Sequence, residues 1–249
     1  MSRSAALPFA QPLTLVRSEH CLAVLSDAPL RTLSSALVGG GLGERCHFAN
    51  FHVDNGYDSH TPKADLTRWL AAQQLSPTAV AMMTAVQLHN ACIVSVALDK
   101  TPHGVMALVT AGVGNAVDIS FSREADPRLA LRTAPTPGTI NTFLFVAAHL
   151  TDAAFVNASL SATEAKVQAL SARGVNDPYS GTPATGTSTD SLAIAATQRG
   201  NATPYAGSGT EVGRAIGEAV YRATLGALAN SHKTSSHRAN SYKEPQCLG

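Results

Sequence analysis

The chain is poor in charge: only 14% of its 249 residues are Asp, Glu, Lys or Arg, and the formal net charge is +1. About a quarter is usual for a soluble domain. No basic stripe or block is present, which argues against nucleic acid and anionic membrane as partners. Aromatic residues make up 5%, with a single Trp. Apolar runs are short and broken by polar residues, so no membrane-spanning helix is expected. The first ten residues carry Ser2, Arg3 and Ser4 and no continuous apolar stretch, so no secretory signal is expected either. The four cysteines (Cys21, Cys46, Cys92 and Cys247) form no Cys-x-x-Cys pair. Their spacing suggests neither a zinc site nor a disulfide framework, and the simple expectation is a cytoplasmic protein with reduced thiols. Cys46 lies six residues before His52, but such close sequence neighbours seldom make a Cys/His nucleophile pair.

What is present is apolar mass and punctuation. Hydrophobic residues reach 45%, enough for a sizeable core. The expected organisation is a single catalytic domain over residues 1–230, with a polar, aperiodic and disordered tail over 231–249. Three glycine- and threonine-rich segments sit at the edges of apolar runs. They are Gly39-Gly40-Gly41-Leu42-Gly43, Pro137-Gly138-Thr139-Ile140-Asn141-Thr142, and Pro183-Ala184-Thr185-Gly186-Thr187-Ser188-Thr189-Asp190. Glycine lets backbone N–H groups approach a ligand, and hydroxyls add donors and acceptors. Such segments suit a large neutral, amide-rich ligand or a phosphorylated one.

The patterning predicts an α/β or α+β fold in one compact domain, a mixed sheet packed by long helices. Strands are expected at 13–16, 21–25, 33–38, 91–98, 105–110, 139–147 and 191–197, with an extended segment at 47–53. A connection holding His103-Gly104 is expected between two of them. Helices are expected at 65–74 and 77–86, then from a Thr151 or Asp152 cap to about Arg173 with Gly174 as its stop, and at 211–230. In the third helix Val156, Leu160, Val167 and Leu170 read as a core stripe, and Asn157, Ser161, Glu164 and Gln168 as a polar one. Its many alanines would let it lie close on a sheet. In the last helix Val212, Ile216, Val220 and Ala223 point inward, while Gly213 and Gly217 permit close packing. Residues 118–137 read as an exposed loop.

Several familiar patterns fail on inspection. Gly41-x-Gly43 is followed by Cys46 where a dinucleotide fingerprint needs glycine, and no helix follows. The segment from Gly181 to Ser188 resembles a phosphate-binding loop with Thr187 in place of its lysine. Asp58-x-His60 resembles a cobalt-ligating histidine motif, yet Lys63 replaces the expected glycine. His52, Asp54, Asp58 and His60 pack into nine residues. They admit a metal site, but no distant further ligand is visible, so metal-free acid/base work is preferred.

In order along the chain, residues 33–43, 50–53, Tyr57-Asp58, 81–85, 109–115, 137–141, 150–152, 162–170, 184–190 and 205–207 resemble the adenosylcobinamide amidohydrolases, the CbiZ family. The likeness spans about residues 30–228. It implies a corrinoid-salvage hydrolase that cuts the aminopropanol amide of adenosylcobinamide to give adenosylcobyric acid. No cofactor would be required, because the cobalt arrives inside the substrate. The same loops would also serve a non-catalytic corrinoid-binding protein or a phosphate- or nucleotide-ester hydrolase. The catalytic candidates are His52, Asp58, Glu164 and Asp190. The substrate-binding candidates are Gly39, Gly40, Gly41, Gly43, Asn50, Thr110, Asn115, Asn141, Thr185, Gly186, Thr187 and Thr189.

Overall fold

The computed structural model describes residues 3–122 and 138–241. Its centre is a curled, nine-stranded mixed sheet. The strands run in the order β1 (Arg3–Ala6), β2 (Leu13–Arg17), β3 (Cys21–Ser34), β12 (Ser191–Ala196), β9 (Ile140–Val146), β7 (Thr101–Ala111) and β6 (Cys92–Leu98). Strand β4 (Gly41–His52) pairs with β3 and with β5 (Val80–Thr84) off that path. The β9–β12 and β4–β5 pairs are parallel, and the other pairings within this sheet are antiparallel. Short two-residue ladders join β8 (Ala116–Val117) to β11 (Gly186–Thr187) and β10 (His149–Leu150) to β13 (Ala202–Thr203).

Among the described residues three α-helices cover the sheet: α1 (Pro62–Ala72), α2 (Asp152–Ala172) and α3 (Glu211–Ser241). Strand β9 is continuously apolar from Phe143 to Val146, because both of its faces are buried there. Ile140, Leu144 and Val146 face α2 and α3, while Phe143 and Phe145 point the other way into a second core. There the curl of the sheet brings Phe48 edge-on to Phe143 and Phe145, with ring centroids 6.4 and 5.1 Å apart. A third cluster sets Leu66 and Leu70 of α1 against Phe51 and Ala81.

Thr151 caps α2 by accepting a hydrogen bond from the Ala154 amide, and Gly174 follows the helix at φ +63°, as its sequence predicts. The inward face keeps Leu170 of the expected stripe but not Val156 or Leu160. Val156 and Leu160 are 56% and 55% exposed. Ala154, Phe155, Ala158, Ala162, Ala165 and Ala169 are buried instead. Close approach of a helix to a sheet favours small side chains, and Val156 and Leu160 are left outside.

Other boundaries shift for physical reasons. Residues 77–86 hold strand β5 rather than a helix. Ala79, Val80 and Ala81 are fully buried, and a short apolar run carries no period that separates strand from helix. The strand expected at 33–38 is the end of the long β3, which stops at Ser34. His103 and Gly104 lie within β7, His103 at φ +59°, rather than in a connection. Helix α3 continues to Ser241 instead of ending at Asn230. The rest of the expected loop, residues 123–137, and the chain end, 242–249, lie outside the described residues.

Candidate active site

The sheet opens a cleft of ≈ 500 Å³ where the end of β5 and the loop after β4 meet the segments leading into β9 and β12. Val53, Asp54 and Tyr57 come from the β4 side, and Thr84 from β5. Asn115 comes from the turn between β7 and β8, Gly138 and Thr139 from the approach to β9, and Ser188, Thr189 and Ser191 from the approach to β12 and its first residue. The polar lining is therefore dominated by neutral hydroxyl and amide groups.

Asp190 anchors this edge. One carboxylate oxygen accepts from Lys166 Nζ at 2.6 Å and from the Thr187 amide at 3.2 Å. The other accepts from the Ile140 amide at 3.0 Å and from the Thr187 hydroxyl. Four donors from three segments fill the carboxylate's acceptor capacity and hold it in one orientation. The Asp190 and Lys166 side chains are only 18% and 16% exposed. Lys166 reaches across from α2 because Gly186 has no side chain. A Cβ there would sit 2.6 Å from Asp190 Oδ2 and 2.7 Å from Lys166 Nζ. Both charged groups also line a smaller pocket of ≈ 260 Å³, which shares Ser191 with the cleft.

Beside this pair the hydroxyls of Thr139 and Thr189 hydrogen-bond each other. Asn115 donates to Ser188 Oγ at 2.7 Å, and its side-chain oxygen is buried without a partner among the described residues. Thr185 accepts from the Ile119 amide at 3.0 Å. Behind the cleft Asn141 donates to Asn50 and to the Met83 carbonyl, and Asn50 donates to Thr110, each at 2.9 Å. All three side chains are buried, so the structure places them as a tie between β4, β7 and β9 rather than on an open surface.

The remaining sequence candidates are scattered. His52 Nδ1 donates to the Val86 carbonyl and Nε2 accepts from Gln87 Nε2, each at 3.1 Å. Because a carbonyl only accepts, that pairing sets the tautomer. Asp58 and His60 are exposed, and among the described residues no three His, Cys, Asp or Glu side chains are placed to hold a metal ion. Glu164 is exposed on a different groove, between α2 and α3, with Arg214 and Glu218. Gly41 and Gly43 lie in β4, paired with Ser34 and Thr32. Gly39 stands at φ +73° where a Cβ would meet the Ala79 carbonyl at 2.4 Å, and a Cβ on Gly40 would meet that of Ala36 at 2.5 Å. The glycine cluster thus serves chain packing between β3, β4 and β5.

The sequence matches the family described as adenosylcobinamide amidohydrolase over residues 9–236. The chain belongs to the CbiZ family. An adenosylcobinamide amidohydrolase from Methanosarcina mazei is 26% identical over 194 residues, covering 74% of this chain and 84% of the relative. An uncharacterized protein from Methanocaldococcus jannaschii is 36% identical over 99 residues, 39% of this chain and 38% of that one. Among solved structures, the PH0078 protein from Pyrococcus horikoshii aligns with a TM-score of 0.45 and 11% identity, covering 98% of this chain and 92% of that chain.

Within this CbiZ chain the sequence reading missed Lys166, Tyr57 and Ser191. Lys166 carried a usable signal, standing four residues after Ala162 and next to Ala165 on the alanine face of α2. A cation beside a buried face asks for a partner. Tyr57 donates to Asp65 at 2.7 Å, and burial first, then that bond, raises its pKa, so the cleft rim carries an intact phenol O–H at neutral pH. Asp65 shifts the opposite way, held down by hydrogen bonds from Ser59 and Tyr57 and by Arg68. Among the described residues no helix is long and apolar enough to cross a membrane.

Proposed function

We propose that this protein hydrolyses the aminopropanol amide of adenosylcobinamide, giving adenosylcobyric acid for cobalamin salvage, with no protein-bound metal or other cofactor. The observation that carries the reading is the half-buried Lys166–Asp190 pair at the wall between two pockets, beside a cleft lined by hydroxyls and amides. A corrin ring bears many neutral carboxamides and is larger than the cleft, so only an arm of it enters. Ser188, Thr189, Asn115 and Thr139 offer that arm hydrogen bonds without charge.

Amide hydrolysis adds the oxygen of water to the carbonyl carbon, breaks the C–N bond and delivers a proton to the leaving amine. The attacking oxygen, a water or a hydroxyl, is held by the 187–191 segment. Asp190 is a positioning residue here, because its four bonds fix Lys166 Nζ and the Thr187 hydroxyl at that segment. Lys166, with one N–H on Asp190, has a further N–H to donate to the amide carbonyl oxygen. His52 orders the rim through Gln87, while Asp58 and Glu164 stand apart.

The deciding experiment incubates pure protein with adenosylcobinamide and follows adenosylcobyric acid and free aminopropanol by mass spectrometry. Product at substoichiometric enzyme supports the hydrolase; tight binding without product would make the protein a corrinoid carrier instead. Asp190→Asn should lower kcat about a hundred-fold, and Glu164→Gln should leave it within about two-fold. The reverse ranking would move the chemistry to the groove between α2 and α3.

A further inference from the structure

The ≈ 260 Å³ pocket behind Ser191 has a composition that the cleft does not. Its walls hold Lys166 and Asp190 together with Ser35, Thr142, Thr163 and Ser191. A lysine has three N–H donors, and Asp190 takes one of them. The hydroxyls of Thr142 and Ser191 have no hydrogen-bond partner among the described residues, whereas Thr163 is spent on the Ser159 carbonyl. The pocket therefore offers donors from a cation and hydroxyls able to accept. Asp190 cancels the charge of Lys166, so the walls are neutral overall.

The geometry points to a subsite for one neutral carboxamide group. Its carbonyl oxygen accepts from Lys166 Nζ, and its N–H donates to the hydroxyl oxygen of Thr142 or Ser191. A carboxylate of the same shape is disfavoured. It would lie beside Asp190 and would bring no N–H to Thr142 or Ser191. Lys166 is thus a specificity-determining residue that separates amide from acid. The inference rests on the hydrolase reading only for its use, since a site that takes amides and rejects acids admits substrate and releases product.

The test is a pair of titrations of the full chain, with propionamide and with propionate, read from the backbone amide signals of Thr163, Ser191 and Leu192 in ¹H–¹⁵N spectra. Propionamide should shift these signals, and propionate should need about ten-fold higher concentration to do so. Lys166→Met should remove the propionamide shifts. Because that change leaves Asp190 without its cation, the Thr142→Val/Ser191→Ala double variant serves as a second check with the ion pair intact. It should weaken propionamide about ten-fold. Equal affinity for amide and acid, an unchanged double variant, or no propionamide shift would each overturn the subsite. Turnover of adenosylcobinamide by the same sample is a separate readout. Amide binding without turnover removes the hydrolase reading and leaves the subsite; turnover without amide binding does the reverse.

Discussion

Gly186 leaves no room for a side chain beside the ion pair. With a Cβ 2.6 Å from Asp190 Oδ2 and 2.7 Å from Lys166 Nζ, Gly186→Ala must push the ion pair apart. The expected outcome is a fall in kcat of at least about ten-fold with the fold retained, checked by steady-state rates beside a thermal melt. Cys21 makes a different kind of prediction. Burial pushes its thiol pKa up to about 12, so at pH 8 it is a neutral thiol inside the third core cluster. Iodoacetamide followed by peptide mass spectrometry should label half-buried Cys46 in the native protein, and Cys21 only after denaturation. Early labelling of Cys21 would mean that β3 opens locally.

Helix α2 decides more than its length suggests. Val156→Ser and Leu160→Ser should each cost under about 0.5 kcal/mol, as exposed substitutions do. Phe155→Ala, one residue away and fully buried, should cost about 3–5 kcal/mol. Urea denaturation separates these outcomes clearly, and a large loss at Leu160 would restore the stripe expected from the sequence. This helix also shows where sequence reading succeeds. Caps are local chemistry, so Thr151 and Gly174 were legible. The buried face was not, because an Ala-rich helix satisfies several apolar stripes at once and only the sheet beneath selects one. The same limit hid β5, whose burial comes from partners more than thirty residues away in β4. In the site, Asp190 could be singled out from the Thr-rich segment before it. Its partner Lys166 lies twenty-four residues back on another element, where no spacing rule reaches. Asn50, Thr110 and Asn141 were expected to contact substrate, and the sequence carries no sign that they are buried partners of one another. The structure engages them with one another across the curl of the sheet.

At the scale of the molecule charge is scarce, and two carboxylates are held by several hydrogen bonds each. The Asp118 carboxyl is held below the ordinary carboxylate range by hydrogen bonds from Thr182 and Ser120, and Asp65 likewise by Ser59, Tyr57 and Arg68. A depressed carboxylate pKa adds stability that is present above the unfolded value and is lost as pH falls through the folded one. Stability should therefore be flat near neutrality and decline below the ordinary carboxylate range. Asp118→Asn should be less stable at pH 7 but should lose less on acidification, which melting temperatures from pH 7 to pH 3 would show. A steeper acid dependence in the variant would assign the effect to other groups.

Strand β12 is synthesised after most of the chain, yet it lies between β3 and β9. Until residue 196 has left the ribosome, the nascent sheet is two pieces, each with a bare row of backbone donors and acceptors along the missing seam. Such edges invite pairing with other chains. The last strand of this sheet to arrive is therefore the one that closes it, and it brings Ser191, with Asp190 just before it, to the edge of the cleft. In this protein, closing the sheet and assembling the candidate site are the same event.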